Sequence, residues 1–237
     1  MKRFILSVAA AFLALGVCAA EMPRIFMAGD STMCDRKPTD KKAGWGQSLK
    51  KLVKDGVVVN NLARGGFSSK SFIDNGNWDK LIAKVKKGDY VIIQFGHNDQ
   101  KPKDVKRYSE VNTAYKDNLR KYISDVRAKE ANVVLATSIS RRAFDKKGKF
   151  VDRAKLRKYA EAMIAVGQEC KVPVVDLNTL TKELIVSMGE EKSAELFLYY
   201  HDKKDNTHTI AKGADAIADF FVQDAKKQGL EIARLFK

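Results

Sequence analysis

A hydroxyl nucleophile is inert until a base removes its proton, and a histidine does this well only when a carboxylate fixes its tautomer. The chain offers all three groups in two distant segments, Gly29-Asp30-Ser31-Thr32 and Asp205-Asn206-Thr207-His208. It has only three histidines, His97, His201 and His208, so few residues can be the base. Asp205 stands three residues before His208, where its carboxylate can bond Nδ1 and leave Nε2 facing Ser31. The same pair could supply two metal ligands, but no third His, Cys or carboxylate stands at a suitable spacing, so metal is set aside. His201, beside Asp202, reads as a surface residue.

Attack by a serine on a carbonyl creates an oxyanion, which needs hydrogen-bond donors already in place. Ser31 lies where a first strand is expected to hand over to a helix, whose leading N–H groups are unpaired. Simple helix capping by Asp30 or Ser31 is the plainer alternative. Asn61-Leu62-Ala63-Arg64-Gly65-Gly66-Phe67-Ser68 puts a glycine pair after a second strand, which makes the Gly66 N–H a second donor. A tight strand-to-helix turn explains the same glycines equally well. Gly96-His97-Asn98-Asp99 ends a third strand, and the Asn98 amide is the third donor, against turn formation by Asn-Asp. His97 reads as a packed or hydrogen-bonded support.

These segments must be brought together by the elements around them. Short runs rich in Val, Ile or aromatics predict strands at 24–28, 57–61, 90–95, 133–137 and 172–176. Helix-period stripes lie between and after them. Tyr115, Leu119, Tyr122, Ile123 and Val126 share one face, and Leu156, Tyr159, Ala160, Met163, Ile164 and Gly167 share another. Ile210, Ala214, Ile217, Ala218, Phe221 and Ala225 form a closing helix. Five strands separated by helices imply an α/β fold, a parallel sheet covered on both faces. In such sheets ligands bind beyond the carboxyl ends of the strands, where the three donor segments fall. The Lys-rich loops 100–107 and 141–153 read as mobile.

With 237 residues and 45% hydrophobic content the chain can bury one core, so a single domain over 21–237 is the simplest organisation. Residues 1–20 read instead as a signal peptide. Lys2 and Arg3 precede an apolar run at 4–17, and Cys18-Ala19-Ala20 offers the small residues of a cleavage site after Ala20. That run is too short for a stable membrane span. Lipidation at Cys18 is the lesser reading, because Val17 stands where a lipoprotein box carries a smaller residue. Cys34 and Cys170 then remain, too few for a disulfide framework, and each reads as a small apolar residue. Loss of Lys2 and Arg3 takes the formal charge from +15 to +13. A basic surface attracts polyanions. Nucleic acid is a poor partner for an exported chain without a binding motif, so an acidic polysaccharide fits better, with a merely solubilising surface as the alternative.

Gly29-Asp30-Ser31, Gly66, Gly96-x-Asn98-Asp99 and Asp205-x-x-His208 resemble the four sequence blocks of the SGNH (GDSL-type) hydrolases. Longer strings are similar to the rhamnogalacturonan and pectin acetylesterases within that group: Gly29-Asp30-Ser31-Thr32-Met33, Phe95-Gly96-His97-Asn98-Asp99, and Asp205-Asn206-Thr207-His208-Thr209 followed by Gly213-Ala214. Thr32-Met33 stands where general GDSL enzymes carry Leu, which favours the carbohydrate subgroup over the lipases. The resemblance implies a three-layer α/β/α, flavodoxin-like fold. It also implies Ser31 as nucleophile, the Ser31 and Gly66 N–H groups with Asn98 as oxyanion hole, Asp205–His208 as relay, and no cofactor. The expected activity is that of a secreted or periplasmic serine esterase acting on acetylated pectin, either rhamnogalacturonan or homogalacturonan, with Arg64, Arg141 and Arg142 as contacts to its carboxylates. The alternatives are an acetylxylan esterase or another SGNH esterase or lipase, and, from a different class, a non-catalytic polyanion-binding module.

Overall fold

The computed structural model describes residues 22–237, so the expected leader lies outside the described residues. In chain order the elements are β1 (Ile25–Gly29), α1 (Trp45–Leu49), β2 (Val59–Asn61), α2 (Ser69–Asp74), α3 (Asn77–Ile82) and β3 (Tyr90–Gln94). They continue with α4 (Ala114–Ala128), β4 (Asn132–Ala136), α5 (Leu156–Glu169), β5 (Val174–Val175), α6 (Leu177–Ser193, interrupted at Gly189) and α7 (Ala211–Lys227). The strands form one parallel sheet in the order β2-β1-β3-β4-β5.

Alternate side chains of a strand point to opposite faces, and here both faces are apolar. Ile25, Met27, Ile92, Val134 and Ala136 pack with Trp45 of α1 and with Ala218 and Phe221 of α7. Phe26, Ala28, Val91, Ile93 and Leu135 pack with Phe72, Trp78, Leu119, Tyr122 and Met163 from α2–α5. The molecule is therefore an α/β/α sandwich. Every residue expected to line α4 is buried, whereas Ile164 of α5 is only half-buried and Val166 takes an inward place beside Gly167.

The structure departs from the expected elements at three places. The fifth strand contracts to two residues because only Leu135 and Ala136 of β4 pair with it, and Pro173 before it has no N–H to give. The second strand pairs only over Val59–Asn61. No helix starts at Ser31. Residues 31–34 form a single turn, closed by the Met33 and Cys34 N–H groups on the Asp30 carbonyl, and α1 begins only at Trp45. No described helix is long and apolar enough to cross a membrane.

Register decides where the loops emerge. β1 and β3 pair from Ile25 with Tyr90 to Gly29 with Gln94, so the two strands end level. The segments Asp30-Ser31 and Phe95-Gly96-His97-Asn98 consequently leave the sheet side by side. The chain runs outward from β1 to β2 on one side, then crosses back from β2 to β3 on the other side of β1. Ser31 thus sits at the point where strand order reverses, the usual crevice of such sheets.

Candidate active site

Ser31 rests on a buried polar chain. Trp45 Nε1 donates to Gln94 Oε1 at 2.5 Å, and Gln94 Nε2 donates to Thr32 Oγ1 at 2.8 Å. The Thr32 hydroxyl and N–H both donate to Asp30 Oδ1, at 2.8 and 2.9 Å. Each link is buried, and an unmade hydrogen bond there would be costly, so the turn carrying Ser31 has one satisfied arrangement. Thr32, Gln94 and Trp45 were not legible as site residues, since each reads as ordinary core or strand.

The segment 205–208 reaches this turn from the far end of the chain. Asp205 Oδ1 accepts the N–H groups of Thr207 and His208, both at 3.0 Å, which curls the backbone into a tight loop. Asp205 Oδ2 then lies 2.7 Å from His208 Nδ1, and His208 Nε2 lies 2.9 Å from Ser31 Oγ. Burial pushes the Asp205 carboxyl upward, but those amides and the imidazole outweigh it and hold it below the ordinary carboxylate range. An ionised carboxylate only accepts, so the Nδ1 facing it carries the proton and Nε2 is left as the acceptor for the serine hydroxyl. Neighbouring bonds dock the loop: Ala43 N–H to the Thr209 carbonyl, Thr209 Oγ1 to the Ala43 carbonyl, and Leu198 N–H to the His208 carbonyl.

The glycine pair arrives beside the serine because the chain continues upward past β2. Leu62 N–H donates to the Met27 carbonyl and Arg64 N–H to the Gly29 carbonyl, which carries Gly65 against Ser31. A Cβ on Gly65 would stand 3.7 Å from Ser31 Cβ. Gly66 adopts φ +85°, a conformation that favours glycine. Among the described residues, neither the Ser31 nor the Gly66 N–H has a protein acceptor. Asn98 Nδ2 donates to the Phe67 carbonyl at 2.8 Å, so one of its two amide hydrogens is engaged and the other is available. The structure thus brings together Ser31, Gly66, Asn98, Asp205 and His208.

The three expected arginines separate. Arg64 is exposed, in a cleft shared with Asn77, Lys80 and Lys84 on the α3 side. Arg141 is largely occupied, donating to Thr207 Oγ1 at 2.7 Å and to the His97 carbonyl at 3.5 Å, so it ties the histidine loop to the β3 loop. Arg142 corrects the expectation of a substrate contact. It is 4% exposed, it donates to Ser193 Oγ, Asn206 Oδ1 and the Glu190 carbonyl, and it lies 4.4 Å from the Tyr199 ring centroid. The lesson of Arg141-Arg142 is that both cations build the loop.

Two buried titratable groups, His97 and Asp99, complete the surroundings. His97 is 2% exposed, and burial with the nearby charges of Arg141, His208 and Lys101 pushes it well below its ordinary value, so it is neutral. Asp99 accepts from Ser69 N–H and Oγ at 3.0 and 2.5 Å, and burial still pushes its carboxyl up to about 7. Cys34 is buried and Cys170 half-buried, both free thiols. Among the described residues no three His, Cys, Asp or Glu side chains gather as metal ligands.

Two further residues touch the donor set and were missed in the sequence. Lys101 Nζ donates to Asn98 Oδ1 at 2.7 Å, and Arg107 Nη1 reaches the same oxygen at 3.5 Å and the Gly66 carbonyl at 3.2 Å. Their only signal is position, Lys101 one turn past Asn98 in a loop that otherwise reads as a solvated lysine run.

Known proteins resemble the chain in both sequence and fold. The GDSL-like lipase/acylhydrolase family matches residues 27–215. The chain is 37% identical to rhamnogalacturonan acetylesterase RhgT of Bacillus subtilis over 219 residues, covering 88% of this chain and 92% of that protein. The crystal structure of protein YxiM from Bacillus subtilis superposes with a TM-score of 0.77 at 32% identity, over 88% of this chain and 57% of that one, so the chain spans little more than half of it. A catalytic variant of Axe2, an acetylxylan esterase from Geobacillus stearothermophilus, shares the fold, with a TM-score of 0.64 at 17% identity over 86% of this chain and 95% of that one. The chain belongs to the GDSL-like lipase/acylhydrolase family and is a carboxylic ester hydrolase.

Proposed function

We propose that the chain is an exported serine acetylesterase that removes acetyl groups from an acidic plant cell-wall polysaccharide of the pectin type, with Ser31, His208 and Asp205 as its catalytic residues. The observation that carries this reading is the continuous relay from Asp205 Oδ2 through His208 to Ser31 Oγ, with contacts of 2.7 and 2.9 Å.

In this mechanism His208 Nε2 takes the Ser31 proton as Oγ attacks the acetyl carbonyl. The new oxyanion accepts from the Ser31 and Gly66 N–H groups and from the free Asn98 Nδ2 hydrogen. Collapse expels the sugar alcohol, which receives its proton from His208, and leaves an acetyl-Ser31 ester. Water then gives a proton to His208 and attacks that ester, and a second collapse returns the proton to Ser31 and frees acetate. Each oxyanion donor is typically worth about 3 kcal/mol of barrier.

The substrate reading draws on the name of the relative RhgT and on the formal charge, +15 less the two of Lys2 and Arg3, or +13 after removal of the leader, which favours approach of a polyanion. Arg64, exposed beside the glycine pair, is the proposed carboxylate contact. Acetate release from acetylated rhamnogalacturonan, homogalacturonan and xylan fragments tests it. The pectic substrates should be turned over fastest and should lose affinity with added salt. Preference for xylan, or salt-independent affinity, would reverse the assignment. Export rests on the features of residues 1–20 and is checked by N-terminal sequencing of secreted protein, which should begin at Glu21.

A further inference from the structure

We propose that Lys101 is a positioning residue which, helped by Arg107, fixes and polarises the Asn98 amide so that its free N–H serves the oxyanion. The inference rests on the proposed role of Ser31 as nucleophile.

A primary amide has one acceptor oxygen and one doubly donating nitrogen of nearly equal size, so its surroundings must choose which end points where. At Asn98 every contact chooses the same way. Nδ2 meets the Phe67 carbonyl, an acceptor that would repel Oδ1. Oδ1 meets the Lys101 ammonium and the Arg107 guanidinium, two donors that would repel an NH2 group. A turned amide would lose a bond at both ends, and the oxyanion would face an acceptor instead of a donor.

The cations do more than hold the amide. A positive donor on a carbonyl oxygen draws electron density from the amide nitrogen and strengthens its remaining N–H as a donor. Charge-assisted hydrogen bonds are roughly twice as strong as neutral ones. The charge also lies one amide away from the position where the oxyanion develops, so it counts for more in the transition state than in the ground state. Arg107 adds a second tie, to the Gly66 carbonyl, and is itself held by Asp104. Lys101 is half-buried, and burial together with Arg107 and Arg141 weakens its hold on its proton, while Asp104 and Asp30 favour the charge. Lys103, in the same loop, is exposed and makes no such contact.

The test uses 4-nitrophenyl acetate, a neutral ester too small to need polysaccharide contacts. Ser31→Ala should be inactive, and retained turnover would remove the nucleophile reading itself. Given that, Lys101→Met should lower kcat about tenfold with KM unchanged, a smaller loss than the hundred- to thousandfold typical of deleting an oxyanion donor. Lys101→Arg should restore most of the rate, and Lys103→Met should match wild type. In an Asn98→Ala background Lys101→Met should cost nothing more, because a residue acting through Asn98 has nothing left to act on. Wild-type kcat in Lys101→Met, a change confined to KM, or an equal loss in the Asn98→Ala background would each overturn the inference. Should Lys101→Met fail to fold by circular dichroism, Arg107→Gln is measured in its place, with the same pattern at smaller size expected and an unchanged kcat contradicting it.

Discussion

His208 Nε2 stands 2.9 Å from Ser31 Oγ although 177 residues of chain separate them. Nothing local enforces that distance. It follows from β1 ending at the sheet's switch point and from the 205–208 loop being docked on Ala43 and Leu198 just before α7. Within the loop the Asp205–His208 geometry is local, since one carboxylate both caps the backbone and orients the ring.

That dual use makes Asp205→Asn informative. An amide placed there can donate to Nδ1, which moves the ring proton to Nε2 and leaves no acceptor facing Ser31. We expect kcat to fall about 10³- to 10⁴-fold, with little change in KM. Steady-state kinetics check this, and a loss under tenfold would mean that the carboxylate does not set the tautomer.

Asp99 gives a pH signature in stability. Burial, opposed by Ser69 and reinforced by the Asp30 charge, raises its folded-state value to about 7, whereas an unfolded aspartate titrates at about 4. Between those values the folded chain holds a proton that the unfolded chain has released. Stability from this group is therefore full below the lower value and is lost as pH rises through the upper one. Asp99→Asn cannot ionise, so its melting temperature relative to wild type should increase on going from pH 5 to pH 8. A constant difference across that range, by scanning calorimetry, would contradict the assignment.

Gly44 is constrained by space alone. A Cβ there would stand 2.2 Å from the Cys34 carbonyl oxygen and 2.6 Å from the Met33 carbonyl carbon, both backbone atoms of the turn that begins at Ser31. Gly44→Ala should cost about 1–3 kcal/mol, as overpacking does, and should lower activity by displacing the nucleophile. Denaturant unfolding with an unchanged midpoint would show that the turn yields freely.

Periodicity exposed β1, β3, β4, α4, α5 and α7 because each buries a recurring apolar pattern, whereas α6 buries a mixed face that includes Asn178, Thr181 and Ser193 and was not legible. The stripe Tyr115–Leu119–Tyr122–Ile123–Val126 needed no tertiary knowledge, and neither did the strand Tyr90–Gln94. The site segments were legible in combination: Gly-Asp-Ser, the glycine pair and Asn-Asp each follow a strand on the same edge of the sheet, and Asp-x-x-His stands just before the closing helix. Each taken singly reads as an ordinary turn. What stayed hidden depends on long-range contact. Arg141 and Arg142 look alike in sequence, yet one spans two loops and the other is enclosed by Ser193, Asn206 and Tyr199. Lys101 was hidden in the same way, since only its distance to Asn98 separates it from its lysine neighbours. The helix expected at Ser31 failed because Asp30 closes a single turn with its own carbonyl and leaves the chain to wander to Trp45.

The most direct measurement of the nucleophile is covalent labelling. A fluorophosphonate probe should add once to the native protein, abolish ester hydrolysis in step with labelling, and map by peptide mass spectrometry to Ser31. His208→Ala should label far more slowly. Modification of another residue with loss of activity, or full activity after complete labelling of Ser31, would contradict the account.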